Sequence, residues 1–311
     1  MGERKRWGEQ RYRSLDYELK ETFGEKIYKI TLNGGMTCPN RDGRCGFGGC
    51  IFCSAKGSGD FAGSPSLSIE EQLARGKEAL SKKRPVRSYI AYFQAFTNTY
   101  APVDYLEDIF IRAIQDPDVK VLSVATRPDC LGEDVLSLLE RLNRIKPVWV
   151  ELGLQTIHPR TAEYIRRGYP LEVFDRAVSD LRRAGIRVIV HIILFLPVEN
   201  EDMMMETIDY LNRTDIQGIK LQLLHILQGT DLAADYAKSP FYTPDMETYI
   251  RVLGRCISRL RPDISVHRLT GDGPKDLLIA PLWTGAKRTV LNRIQQYLKE
   301  NDIWQGKEYY G

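Results

Sequence analysis

The chain alternates between short apolar runs and longer stretches with helical spacing. Lys26 to Leu32 alternates apolar and polar positions, which predicts a strand with one buried face. Five further runs are almost continuously apolar: Ser88–Phe93, Val119–Ala125, Val148–Leu154, Arg187–Phe195 and Gly218–Ile226. Amphipathic stretches separate them. Ser68-Ile-Glu-Glu71 is a capping box, with serine and glutamate each satisfying a backbone N–H, and it opens a helix to about Lys83. Pro102 suits the first turn of the next helix, with Leu106, Ile109, Phe110 and Ile114 on one face. Helices are also predicted over about Glu133–Arg144, from Leu171 to a stop at Gly185, and near Glu201–Asn212. Apolar strands joined by helical crossovers predict a parallel sheet and an α/β fold. Barrels of this kind carry their sites on the loops after the strands. Gln94, Arg127, Gln155, Pro197 and Thr230 all fall there.

The flanks differ from this core. Residues 1–25 are a polar lead-in, basic at Arg4, Lys5, Arg6, Arg11 and Arg13. A solvated tail is the plain reading, and a contact to RNA phosphates the functional one. From about Thr243 come a long helix, a strand-like Ile264–Leu269, the turn Thr270–Pro274 and a helix from about Ala286 to Asn301. The expected division is the lead-in, a core over 26–240, and a C-terminal α/β extension over 241–311 packed on it. The net charge of +3 gives no global field demanding nucleic acid. With no apolar leader and no membrane-length run, a cytoplasmic protein with reduced thiols is expected.

Four of the six cysteines fall between Asn33 and Cys53, spaced C-x6-C-x4-C-x2-C among glycines. Converging thiolates hold soft ions, and glycine permits the tight turns that wrap a backbone around one. Zinc sites usually pair two C-x2-C units, whereas only Cys50-Ile-Phe-Cys53 is such a unit here. Zinc and an iron–sulfur cluster remain equal readings on spacing alone. Spacing also leaves Cys45 and Cys38 interchangeable as the outer ligand.

Thr37-Cys38-Pro-Asn-Arg-Asp-Gly43 followed by Gly48-Gly-Cys-Ile-Phe-Cys53 resembles the YhcC/YtqA-type radical S-adenosylmethionine (SAM) proteins. These belong to the branch similar to the Elongator catalytic subunit. Tyr92–Tyr100, Thr126–Cys130 and Arg268–Asp272 carry the same resemblance. The usual C-x3-C-x2-C spacing would put the first cysteine at Gly46, so the first gap is widened here. The resemblance implies a partial (β/α)6 TIM-type barrel and a [4Fe–4S] cluster on Cys38, Cys50 and Cys53. It implies SAM contacts from Gln94 to the amino group, Arg127 to the carboxylate, and Glu151 and Gln155 to the ribose. It places Ile193–Pro197, with Leu196, against adenine. Gln94 stands where the family usually has an acidic turn. The resemblance further implies tRNA as substrate, with the wobble-uridine side chain converted from its carboxymethylaminomethyl to its aminomethyl form. An electron donor such as flavodoxin or ferredoxin would serve the cluster. The rivals are a radical SAM enzyme acting on a small metabolite or peptide, and a zinc-stabilised RNA-binding protein without catalysis. No catalytic residue is assigned.

Of the histidines, His191 lies in an apolar strand and reads as a hydrogen-bonded interior residue. His158 and His225, near strand ends, are the candidates for substrate contact or proton transfer. Cys256 shares a helix face with Tyr249, Val252, Leu253 and Leu260 and reads as core.

Overall fold

The computed structural model describes residues 7–82, 85–271 and 273–311. The six predicted strands form, as β1 (Tyr28–Leu32), β2 (Tyr89–Phe93), β3 (Val119–Thr126), β4 (Val148–Gln155), β5 (Arg187–Leu194) and β6 (Gly218–Leu223). Ile226–Leu227 is a separate short strand, β7; Ser265–Arg268 is β8 and Leu278–Ala280 is β9. One parallel sheet of seven strands runs β1-β2-β3-β4-β5-β6-β8, and β7 pairs antiparallel with β9. The strand predicted in the C-terminal extension therefore joins the main sheet beside β6 instead of packing outside it.

The sheet curls into a partial barrel. Lys29 of β1 and Lys220 of β6 both reach the carboxylate of Glu151 on β4, although β2 and β3 stand between β1 and β4, and β5 between β4 and β6. Ser14, ahead of β1, bridges to Val266 of β8. Helices cover the outer face. Ile69–Ser81 carries the expected capping box, and Leu171–Arg183 turns Phe174, Ala177, Val178 and Leu181 inward. The predicted lead-in contains a helix, Leu15–Phe23, capped by Ser14. Arg4, Lys5 and Arg6 lie outside the described residues, while Arg11 pairs with Asp302 and Arg13 with Glu21.

Inside the barrel, side chains two residues apart on a strand share a face. A lower layer of Ile90, Val121, Trp149 and Ile189 is apolar and packs on Leu19 and Ile27. The layer above reads Tyr92, Ser123, Glu151 and His191, all polar. The switch from plug to cavity takes one step along each strand. No helix among the described residues is long and apolar enough to cross a membrane.

Candidate functional site

A cavity of about 430 Å³ opens at the C-terminal ends of the strands. Cys38, Cys50 and Cys53 line it together, on the loop that follows β1. Gly48 and Gly49 hold φ of 80° and 86°, left-handed values that bring Cys50 round to the others. Asn40 donates to Cys50 Sγ at 3.5 Å and to the Arg166 carbonyl at 2.5 Å. Arg41 clamps the far end of the loop through the carbonyls of Cys53 and Ser54, at 3.2 and 2.6 Å. Burial, with Cys53 next, pushes the Cys50 thiol up to about 12, and burial raises Cys53 as well. Such thiols ionise when a cation shares their site.

Cys45 is exposed, with its thiol 3.8 Å from Asp129 Oδ2, and does not line the cavity. Among the described residues, no three His, Cys, Asp or Glu side chains close on one ion-sized point. Three cavity-lining thiols supply what a cluster asks for, one sulfur to each of three irons.

The other expected site residues are placed as follows. Gln94 lines the cavity and donates its amide N–H to the Ser58 carbonyl at 2.8 Å, so its own carbonyl is the group it can offer a ligand. Arg127 lines it too, at the end of β3. Its Nε and Nη2 hold Asp129 at 2.9 and 2.7 Å and Nη1 holds the Arg167 carbonyl at 2.9 Å. A guanidinium has five N–H donors, so two are left for a carboxylate. Gln155 has φ 63°, and its amide turns back on the Gly153 and Leu154 carbonyls at 3.0 Å. Phe96 and Phe195, after β2 and β5, also hold left-handed φ, 59° and 61°. Backbone strain of roughly 1–3 kcal/mol per residue thus collects at the strand ends, with Phe96 and Gln155 lining the cavity.

Two expectations need correction. Glu151 lines the cavity but its carboxylate is saturated. Oε1 takes Lys29 at 2.6 Å and Ser123 at 2.8 Å; Oε2 takes His191 at 2.7 Å and Lys220. A carboxylate has about four acceptor positions, so none remains for ribose. Leu196 is 2% exposed and packs with Ile51, Ile165 and Leu224 instead of facing the cavity; Ile193 faces it.

His191 is the interior histidine expected. Burial first, then Lys220, push it down to about 4 against the pull of Glu151. His225 lines the cavity, closely enough that a Cβ on Gly271 would stand 2.6 Å from its ring. His158 does not; its Nε2 is 2.8 Å from the Met203 carbonyl. Cys256 is fully buried in the core. Trp283 donates to the Pro244 carbonyl and packs on Tyr249. Arg268 and Gly271 line the cavity, while Asp272 lies outside the described residues.

Sequence reasoning missed Lys29 and Lys220. Their signal is a lone charge inside an apolar strand, in Tyr-Lys-Ile-Thr-Leu and Gly-Ile-Lys-Leu-Gln-Leu.

Residues 41–211 match the Radical SAM superfamily, and residues 216–300 the Radical_SAM C-terminal domain. The chain is 46% identical to the uncharacterized protein YtqA of Bacillus subtilis, over 96% of this chain and 93% of that protein. It is 23% identical to a tRNA uridine(34) acetyltransferase of Methanocaldococcus jannaschii, over 58% of this chain and 33% of that protein. Its fold resembles the archaeal Methanocaldococcus infernus Elp3 with an N-terminal deletion, at TM-score 0.68 and 15% identity. That likeness covers 90% of this chain and 64% of that one.

Proposed function

We propose a tRNA-directed reaction for this chain, which belongs to the radical SAM superfamily and, within it, to the family of YtqA. It is a radical SAM enzyme, and its cofactors are a [4Fe–4S] cluster and SAM. Together these supply a 5′-deoxyadenosyl radical when bound, and the protein's work is to aim it and keep water out.

Cys38, Cys50 and Cys53 are the ligands we assign to three irons, leaving the fourth open. The Gln94 carbonyl accepts from the amino group of SAM. The two unused donors of Arg127, fixed in place by Asp129, hold its carboxylate. The saturated Glu151 positions Lys29, His191 and Lys220 and touches no cofactor in this reading.

The observation that carries the tRNA reading is the similarity to a protein described as a tRNA uridine(34) acetyltransferase, over 58% of this chain. The cavity adds support. Phe61 lines it while 64% exposed, and an exposed aromatic at a mouth can stack an unpaired base. The finer assignment is conversion of the carboxymethylaminomethyl side chain of the wobble uridine to the aminomethyl form.

The test is mass spectrometry of tRNA nucleosides from cells lacking the protein, complemented with wild type or Cys50→Ala. Carboxymethylaminomethyl-uridine should accumulate, and only wild type should restore the aminomethyl-type products. An unchanged nucleoside profile rejects the tRNA reading and turns the search to metabolites and peptides.

A further inference from the structure

The segment 165–169 follows the short helix Pro159–Tyr164 and ties together parts of the site that are far apart in the chain. The Ile165 carbonyl accepts from the Ile51 N–H at 3.3 Å, and the Arg166 carbonyl accepts from Asn40 at 2.5 Å, with the Cys50 thiol 3.6 Å away. The Arg167 carbonyl accepts from Arg127 Nη1 at 2.9 Å. Gly168 comes next with φ 82°. A Cβ there would stand 3.2 Å from the Asn40 amide oxygen and 3.3 Å from Arg127 Nη2, so glycine suits this close passage. The segment thus touches the cysteine loop on one side and Arg127 on the other.

The Arg167 side chain pins the segment to the sheet. It lines the cavity, yet the residue is only 3% exposed. Nη1 donates to the Thr156 carbonyl at 2.6 Å and the Leu154 carbonyl at 3.3 Å, and Nε donates to the Tyr169 carbonyl at 3.1 Å. Leu154 and Thr156 flank Gln155, whose left-handed φ of 63° ends β4. A flat guanidinium fork bonded at two of its nitrogens has one orientation. Arg127 and Arg167 also share the Tyr169 ring, 5.1 and 4.7 Å from its centre. Asp129 holds Nε and Nη2 of Arg127, and the Arg167 carbonyl holds Nη1. Three fixed nitrogens set the plane in which the two remaining N–H groups of Arg127 point. We infer that Arg167 is a positioning residue of the cofactor site, which aims Arg127 by locking segment 165–169 to the end of β4. It acts through Arg127. The inference rests on the assignment of Arg127 to the carboxylate of SAM. Nη2 of Arg167 takes no part in these bonds, and a direct contact from it to a ligand is the rival that the test must separate.

A double-mutant cycle on the cluster-loaded protein separates them, with SAM affinity measured by anaerobic equilibrium dialysis. Arg127→Met alone should weaken SAM binding by about tenfold or more, as the loss of charge-assisted hydrogen bonds warrants. Arg167→Met alone should weaken it by at least about fivefold. In the Arg127→Met background the same change should cost less than about twofold, because the group it aims is gone. Arg167→Lys keeps the charge but cannot span the Leu154, Thr156 and Tyr169 carbonyls. It should follow the same pattern, and it replaces Arg167→Met in the cycle if that variant does not fold. Equal weakening in both backgrounds overturns the proposal, since Arg167 then touches the ligand or supports the barrel in general. Arg167 variants that bind SAM as wild type does overturn it too, and leave the assignment of Arg127 standing. If Arg127→Met itself binds SAM normally, the carboxylate assignment is rejected and the positioning role falls with it.

Discussion

The cysteine wall and a charged floor layer that includes Glu151, His191 and Lys220 line the same cavity, but the chain makes them differently. The wall is local: Cys38, Cys50 and Cys53 sit on one loop, shaped by its own glycines and tied down by Asn40 and Arg41. The floor is assembled from Lys29, Glu151, His191, Lys220 and Arg268, one from each of five strands. Its geometry exists only once the sheet has curled. The wall should therefore fail by losing its ligand, with the barrel intact, and the floor should fail by destabilising the barrel itself.

Loss of the cluster is the largest expected effect. Cys50→Ala removes one of three thiols, and the purified protein should lose essentially all cluster iron and sulfide. Its far-UV circular dichroism should stay close to wild type, because seven paired strands do not pass through the loop. A barrel that unfolds with Cys50→Ala would erase the contrast between wall and floor.

Glu151→Ala comes next. It leaves Lys220 and the partly buried Lys29 without their counter-charge, and stranded buried charges cost about 3–5 kcal/mol. Urea unfolding should show that loss in the midpoint. A loss below about 1 kcal/mol would mean that water or another group compensates the lysines.

The floor also predicts a pH dependence that the wall does not share. His191 is held at about 4, below the ordinary histidine value. The unfolded chain therefore takes up its proton first as pH falls. Stability is full above about pH 6.5 and declines between there and about pH 4, by up to about 3 kcal/mol. Glu151 does not offset this: its pKa is held well below the carboxylate range, so its contribution is lost only at lower pH. His191→Asn should reduce the slope of the thermal-melting profile across that window, and the buried His267, also held low, should keep the remainder. An equal slope in the variant would assign the titration to His267 and not to His191.

The same contrast explains what was legible in the sequence. Apolar runs and caps located the strands and helices, Glu201–Asn212 among them, because burial and capping leave local patterns. The cysteine loop was legible because its spacing lies within one stretch. Gln94, Arg127 and Gln155 were legible as positions, since each follows a strand end. What Glu151 does was not: a lone glutamate in Val-Trp-Val-Glu-Leu gives no sign of which strands will bring it cations. Leu196 illustrates the same limit, since after Phe195 turns left-handed the alternation of faces no longer holds. β8, with four residues, and the β7–β9 pair are too short for periodicity to assign a partner.

The smallest expected effect is the sharpest check on the wall. Cys45 shares the loop and could replace Cys38 by spacing, yet its exposed thiol faces Asp129. Cys45→Ala should keep its full iron and sulfide content, with stability changed by less than about 0.5 kcal/mol. Cys38→Ala, in parallel, should lose the cluster as Cys50→Ala does. If Cys45→Ala loses the cluster and Cys38→Ala keeps it, the loop must rearrange on loading to turn Cys45 away from Asp129. The wall would then be no more preformed than the floor.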